Sequence, residues 1–487
     1  MQRFGISVAP VVRRFSDNVS AMTQIISDTE QRADERESDR YGVDSNRGST
    51  ALEHTEVRAT RDATICVVGL GYVGLPLAVG FARSNYRVIG YDVDDTTVER
   101  LQDGIDTTGD LSDAAVQDGD ISYTTDASQI GEADYVIIAV PTPIDEDDRP
   151  NLDYIESAAT TVGSKMEPGT TVVLESTVYP GATREVLLPA LEDAADLTAG
   201  EDFFVGYSPE RATPGDEEHG LEDVVKVVSG QNDRVLEEVA TLYASVVDAG
   251  VHRAPSIEVA EACKVIENVQ RDVNIALVNE LARVFEELGL DTREVLEAAG
   301  TKWNFHGYRP GLVGGHCIPV DPYFFAHRAK RAGVDPELIL TSRSVNESMP
   351  SHVAELTIKA LNQCHKTLRE SRVLVLGLTY KSDVGDIRSS KVADVVEHLR
   401  EFDIDVEGYD PYADNDTVRD AFDIDVQESL SIDGFDAVLV ATSHSEFDDL
   451  ELDDVAAALD DDGALIDVAG SFDSDEAADA ELVYRGL

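Results

Sequence analysis

One cysteine stands among residues able to put it to chemical work. The segment Gly311-Leu312-Val313-Gly314-Gly315-His316-Cys317-Ile318-Pro319-Val320-Asp321 sets a thiol after three glycines, beside a histidine, with a carboxylate four residues beyond. Glycines let backbone come close to a ligand, and the carboxylate can organise water or accept a proton. A lone cysteine is ordinarily a small packing residue. Cys66, in an apolar run, and Cys263, on an apolar helix stripe, fit that description, whereas Cys317 does not. Counting Cys364 as well, there is no CxxC and no histidine at a matching spacing, so neither a metal site nor a disulfide framework is expected.

A second constellation, Gly69-Leu70-Gly71-Tyr72-Val73-Gly74, follows an apolar run and opens a helical one. In that setting GxGxxG provides a tight turn, close approach of backbone to a pyrophosphate, and a helix N-terminus aimed at the anion. Asp92 comes 21 residues after Gly71, where a carboxylate accepts from a ribose hydroxyl and disfavours a 2′-phosphate. NAD is therefore the expected cofactor. Val140-Pro141-Thr142-Pro143 and Glu175-Ser176-Thr177 each end an apolar run, as ligand-binding loops and plain strand-to-loop turns both do. Lys264, Asn268 and Arg271, at i, i+4 and i+7, share one helix face, either as a solvated polar stripe or as a functional one. Lys264 is the only lysine between 227 and 301, which favours a role.

These groups need a scaffold, and the hydrophobic pattern predicts one. Strands over 63–69, 87–92, 135–140 and 171–175, alternating with helices such as 75–83, imply a parallel sheet covered on both faces. From 256 to 288 one long helix is predicted, with Val259, Cys263, Ile266, Val273, Leu277, Leu281 and Phe285 at spacings of three, four or seven and Gly289 as its stop. Alternation resumes at 372 with RVLVLGLTY, VADVVEHLR, DIDVEGYD, DAVLVAT and ALIDVAG. The expected fold is α/β: two doubly wound, Rossmann-like domains (61–255 and 366–487) joined by a helical central domain (256–365). Residues 1–60 read as a disordered or loosely attached acidic extension, with Met22 an alternative start.

The chain has 487 residues, 96 of them acidic against 39 basic, for a net charge of −57. Such a surface repels nucleic acid and anionic membrane, neither of which is an expected partner. No run approaches the roughly 18 apolar residues of a membrane span, and residues 1–22 lack a secretion signal, so a soluble cytoplasmic protein is expected. The acidity extends over every domain and suits high internal salt, where a Debye length of about 3 Å at 1 M screens self-repulsion. Only nine of the basic residues are lysine.

Taken in order, Gly-Tyr-Val-Gly-Leu-Pro, Glu-Ser-Thr-Val, Ser-Pro-Glu-Arg, Lys264-x3-Asn268, Gly-Gly-His-Cys-x3-Asp and Tyr-Lys-x4-Asp-Ile-Arg (380–388) resemble the nucleotide-sugar 6-dehydrogenases, the UDP-glucose/GDP-mannose dehydrogenase family. The likeness spans about residues 62–475 and is strongest to the branch acting on UDP-N-acetylglucosamine or its galactosamine epimer. UDP-glucose enzymes carry Ser-Cys-Phe where this chain has His-Cys-Ile-Pro, and Pro319 and Phe325 replace the Gly and Leu frequent in close relatives.

The resemblance implies oxidation of a sugar C6 alcohol to the acid, with Cys317 as covalent nucleophile and Lys264 favouring its thiolate. Lys264 and Asn268 would stabilise the oxyanion, Asp321 position water or act as base, Glu210 aid thioester hydrolysis, and Thr177 order the water. It implies NAD contacts from Gly69, Gly71, Tyr72, Val73, Gly74, Asp92, Thr142 and Thr177. Substrate contacts fall to Arg211, Lys264, Asn268, Arg271, Gly314, Lys381 and Arg388. The second Rossmann-like domain, with Gly377 but no GxGxxG, would take UDP. A homodimer or higher homo-oligomer built on the long helix is implied, with Arg388 acting across it. UDP-N-acetylmannosamine and UDP-glucose are the alternative substrates; a two-electron β-hydroxyacid-type dehydrogenase and a non-catalytic nucleotide-sugar sensor are the alternative functions.

The charge makes its own prediction: raising KCl from about 0.1 M to about 2 M, which shortens the Debye length several-fold, raises the thermal midpoint. Circular dichroism melts across the salt series check it, and a salt-independent midpoint contradicts it.

Overall fold

The computed structural model describes residues 63–109, 111–212, 220–459 and 463–487. The expectation for residues 1–60 falls outside them. Two sheets organise the chain. The first contains β1 (Thr64–Val68), β2 (Arg87–Tyr91), β3 (Ile121–Thr124), β4 (Tyr135–Ile138), β5 (Thr171–Leu174), β6 (Phe204–Tyr207), β7 (Lys226–Gly230) and β8 (Val251–Arg253), in the order 3-2-1-4-5-6-7-8. β1 to β6 are parallel; β7 alone runs antiparallel to its neighbour, β6.

The second sheet contains β9 (Arg372–Leu376), β10 (Asp405–Tyr409), β11 (Asp425–Val426), β12 (Ala437–Val440), β13 (Ala464–Asp467) and β14 (Val483–Gly486), in the order 11-10-9-12-13-14 and parallel throughout. Both sheets reverse strand order beside their first strand, and such a switch point opens a crevice for ligands at the carboxyl edge.

Strand composition follows from two-sided burial. In β1, Cys66 and Val68 join one core cluster while Ile65 and Val67 join the cluster on the opposite face. Where both faces are covered, as along β4, β5, β9 and β12, the strand is a nearly continuous apolar run.

Between the sheets lies α3 (Ile257–Leu288), after α1 (Gly74–Arg83) and α2 (Asp233–Tyr243) of the first domain. The Ser256 hydroxyl accepts from Val259 N at its start, and Gly289 closes it in the left-handed region, at φ 66°. Its 32 residues span about 48 Å. The apolar stripe read from the sequence is not the buried face. Val259, Ile266 and Leu277 are exposed, whereas Val265, Val269, Asp272, Ala276 and Asn279 are buried. The inward face is part polar because it carries hydrogen bonds as well as packing.

Those bonds tie α3 to α5 (Glu337–Glu347), which follows α4 (Asp321–Arg331). Arg343 Nη1 reaches Asp272 Oδ1 at 2.5 Å, and both side chains are buried. Asn346 Nδ2 donates to Asp272 Oδ1 at 2.8 Å. Asn279 donates to Asn346 Oδ1 at 2.8 Å and accepts from Gly311 N at 2.8 Å. α6 (Met349–Gln363), within the span read as central, packs Val353, Ala354, Ala360 and Leu361 into the core of the second sheet. No helix among the described residues is long and apolar enough to cross a membrane.

Removing one member of a buried ion pair strands the other in a poorly solvated place, at about 3–5 kcal/mol. Asp272→Ala is therefore expected to destabilise the protein by that amount, as measured by urea unfolding in high salt. A loss below about 1 kcal/mol, the range of surface pairs, contradicts the assignment.

Candidate active site

The first switch point carries the glycine-rich loop. Gly69 takes φ +92°, and a Cβ there would lie 2.7 Å from Ala139 O. A Cβ on Gly74 would come within 1.8 Å of Gly69 O, so only glycine lets α1 start this close to β1. At Gly71 a Cβ would meet nothing within 4 Å, leaving room above the loop for a ligand. Val73 precedes α1 without a side-chain cap, so the helix start is open to an anion. Asp92 fixes the loop by accepting from Leu70 N at 2.8 Å and from Asp94 N at 3.0 Å. Thr142 and Thr177 follow β4 and β5 at the same edge, joined by the Ser176 hydroxyl, which donates to Val140 O at 2.7 Å. Open glycine, uncapped helix and strand-end carboxylate together fit a dinucleotide.

The loop that carries Cys317 is held against α3. Asn279 grips its start at Gly311. At its end Asn268 Nδ2 donates to Asp321 Oδ2 at 2.5 Å. Cys317 is exposed, and its carbonyl accepts from Val320 N (3.1 Å) and Asp321 N (2.9 Å) to begin the turn into α4. Burial pushes the Asp321 carboxyl up to about 6, against the pull of the Lys264 ammonium and the Asn268 amide. Lys264, Asn268, Arg271, Cys317 and Asp321 are thus brought together.

One expectation needs correction. The Cys317 thiol lies above its ordinary pKa, not below it. Although the side chain opens on the cleft, the protein around it strips enough water to raise the thiol, and the Asp321 charge adds to that. Lys264 and Arg271 act in the expected direction without outweighing the other two. Among the other cysteines, Cys66 and Cys364 are buried and Cys263 is half-buried.

The second Rossmann-like domain closes the other side. A Cβ on Gly314 would lie 2.7 Å from Ser389 O, and one on Gly315 would lie 2.9 Å from the Tyr380 ring. These glycines therefore permit a contact between domains, a use the sequence did not reveal. Arg388 makes a two-pronged pair with Asp386 (2.9 and 2.8 Å), which also faces His316 Nε2 at 3.8 Å. The Arg388 guanidinium sits 5.3 Å from the centre of the Tyr72 ring. Read as a substrate contact, it meets the nucleotide loop of its own chain. Lys381 lies partly buried in the same 380–388 segment.

Glu210 and Arg211 follow β6. Arg211 Nε donates to Glu267 on α3 at 2.9 Å. Glu210 accepts from the N–H groups of Arg211 and Ala212, both at 2.6 Å, and from Lys226 Nζ at 3.1 Å. Lys226 also reaches Glu175 Oε2 at 2.9 Å, and the Tyr243 hydroxyl donates to Glu175. Sequence reasoning missed Lys226, Tyr243 and Glu267. Scarcity of lysine was the one available signal for Lys226, and it was applied only to Lys264.

Comparison with known proteins agrees with this geometry. Residues 63–247, 258–348 and 374–474 match the NAD binding, central and UDP binding domains of the UDP-glucose/GDP-mannose dehydrogenase family. The chain is 46% identical to Protein CapL of Staphylococcus aureus over 421 residues, covering 86% of this chain and 99% of that protein. It is 43% identical over 396 residues to the UDP-N-acetyl-D-glucosamine 6-dehydrogenase of Pseudomonas aeruginosa, covering 81% and 94%. The solved UDP-D-ManNAc dehydrogenase of Pyrococcus horikoshii superimposes with a TM-score of 0.79 at 32% identity, covering 87% of this chain and 99% of that one.

The charges around Cys317 predict its reactivity. Asp321→Asn removes the anion that raises the thiol, so alkylation of Cys317 by iodoacetamide at pH 8 becomes several-fold faster. Site-resolved mass spectrometry checks this, and an unchanged rate contradicts the placement of Asp321.

Proposed function

The chain belongs to the UDP-glucose/GDP-mannose dehydrogenase family, and from that premise we propose that it oxidises the C6 alcohol of a UDP-N-acetylhexosamine, UDP-N-acetylglucosamine foremost, to the uronic acid. The observation carrying the proposal is the exposed Cys317 beside Asn268-bonded Asp321, on a loop whose His316 faces the Asp386–Arg388 pair that reaches Tyr72 of the glycine-rich loop. The glucosamine assignment draws on the 43% identity to the Pseudomonas enzyme against 35% to the mannosamine enzyme of Pyrococcus horikoshii.

NAD would be held by Gly69, Gly71, Tyr72, Val73, Gly74, Asp92, Thr142 and Thr177, and would supply the hydride acceptor for both oxidations. The remaining work belongs to the chain's own side chains. Once C6 is an aldehyde, Cys317 adds to it and retains it as a thiohemiacetal, which a second oxidation turns into a thioester. Lys264 and Asn268 stabilise the oxygen as it gains charge. Asp321, partly ionised near neutral pH, is the adjacent base. Glu210 accepts the proton of the hydrolytic water, which Thr177 orders. Arg211, Arg271, Gly314, Lys381 and Arg388 line the path of the UDP-sugar. The exposed Val259, Ile266 and Leu277 of α3 support a homodimer joined along that helix.

The test is NADH formation in molar salt from UDP-glucose and from the N-acetylated gluco, galacto and manno sugar nucleotides. Two NADH per sugar, the highest kcat/KM with UDP-N-acetylglucosamine, and no acid from Cys317→Ser are expected. One NADH per sugar points instead to a two-electron dehydrogenase, and a preference for the manno sugar moves the substrate to that epimer.

A further inference from the structure

The charges buried behind Glu210 are the ones the proposed chemistry leaves without a task. Lys226 is 2% exposed and Glu175 1% exposed, so one buried ammonium serves two carboxylates, the buried Glu175 and the partly exposed Glu210. Isolated from function, such a cluster is a poor source of stability, because desolvating the ions offsets most of their attraction. Its position is set by topology. β7 runs antiparallel to β6, so its first residue, Lys226, lies at the edge where Glu175 ends β5 and Glu210 follows β6. A chain with nine lysines among 39 basic residues keeps one here. A compact ammonium can bridge two carboxylates and also exchange protons, whereas a guanidinium stays protonated.

We infer that Lys226 is a positioning residue for product release: with Glu175 and Tyr243 it holds Glu210 ionised and fixed toward the cleft, ready to take the proton of the water that opens the Cys317 thioester. The inference rests on the roles proposed above for Cys317 and Glu210. In this step the water oxygen bonds to C6 and its proton passes to Glu210. The C6–Sγ bond breaks with its electron pair remaining on Cys317 as thiolate, and nothing is oxidised or reduced.

The geometry restrains both oxygens of Glu210, one by the N–H groups of Arg211 and Ala212 and the other by Lys226. Burial raises this carboxyl, yet Lys226 and the two N–H groups outweigh burial and hold it below its ordinary range. The other ionisable groups facing the cluster are Glu175, Tyr243 and the buried Tyr207, while the Arg211 guanidinium is engaged by Glu267. Burial lifts Glu175 to about 7 in spite of Lys226 and the Tyr243 hydroxyl, which donates to its other oxygen.

The experiment is rapid-mixing kinetics on the full-length protein with UDP-N-acetylglucosamine and NAD, following NADH and, by acid quench and intact mass, the adduct on Cys317. Lys226→Met is expected to keep the initial NADH burst while slowing steady turnover on the order of 10–100-fold, within the span of lost general-base catalysis. Adduct accumulates, and the acid limb of the slow phase moves to higher pH, because Glu210 has lost the cation that keeps it ionised. The double variant Lys226→Met/Glu175→Gln removes the cation with one of its carboxylates, covering the case in which the single change does not fold. Slow release in that protein supports the inference, and release at the wild-type rate overturns it. Equal slowing of burst and turnover, or an unmoved acid limb, marks a merely structural role and also overturns it. Glu210→Gln separates the two levels. Adduct there without adduct in the Lys226 variants sinks this inference alone, whereas absence of adduct in every protein, wild type included, sinks the reading beneath it.

Discussion

A pair of side-chain amides on one helix fixes the distance on which this site depends. Asn279 grips the backbone of Gly311, and Asn268, three turns earlier, grips the carboxylate of Asp321. The loop between them, Cys317 included, is a span anchored at both ends to a single rigid rod. Lys264 and Arg271 extend from that rod toward the same thiol, so their separations from it are set by helix geometry and not by loop conformation. The buried Asp272–Arg343–Asn346 network holds the rod in turn. Loosening it would blur every distance among Lys264, Asn268, Arg271, Cys317 and Asp321 at once.

Around this rod the chain uses one architecture twice, with the second copy altered for a different ligand. Gly69 and Gly377 both take positive φ after the first strand of their sheets, and Asp92 and Asp410 both follow the second strand. Each aspartate accepts from the residue after its glycine, Leu70 N at 2.8 Å and Leu378 N at 2.6 Å. The difference is His444. It is fully buried and lies 3.0 Å from Asp410 Oδ2, which closes the place that Asp92 leaves partly open. Without a GxGxxG and with its strand-end acid covered, the second copy lacks the dinucleotide cradle, in keeping with its match to a UDP binding domain.

Much of this was legible from residue order, because the signals were local. Strand runs, the glycine fingerprint and the cap at Gly289 each act within a few residues of themselves, and the structure has them within a residue or two of where the pattern put them. What escaped was everything decided by partners distant in the chain. The helix stripe of Val259, Ile266 and Leu277 has the correct period, but period alone does not say which face turns inward; Asp272 and Asn279 won that face through bonds to residues about seventy positions away. Lys226 came into view only once β7 reversed direction. The thiol of Cys317 rose instead of falling because the nearest carboxylate and the lost water outweigh two cations, a balance that spacing does not encode.

The stacking of Arg388 on Tyr72 has a mechanical consequence. The arginine belongs to the domain that matches UDP binding and the tyrosine to the glycine-rich loop of the domain that matches NAD binding, so a contact of about 0.5–1 kcal/mol ties the two domains together directly. On the proposed two-stage oxidation, that tie would favour keeping the half-finished sugar leashed while a spent carrier is exchanged for a fresh one.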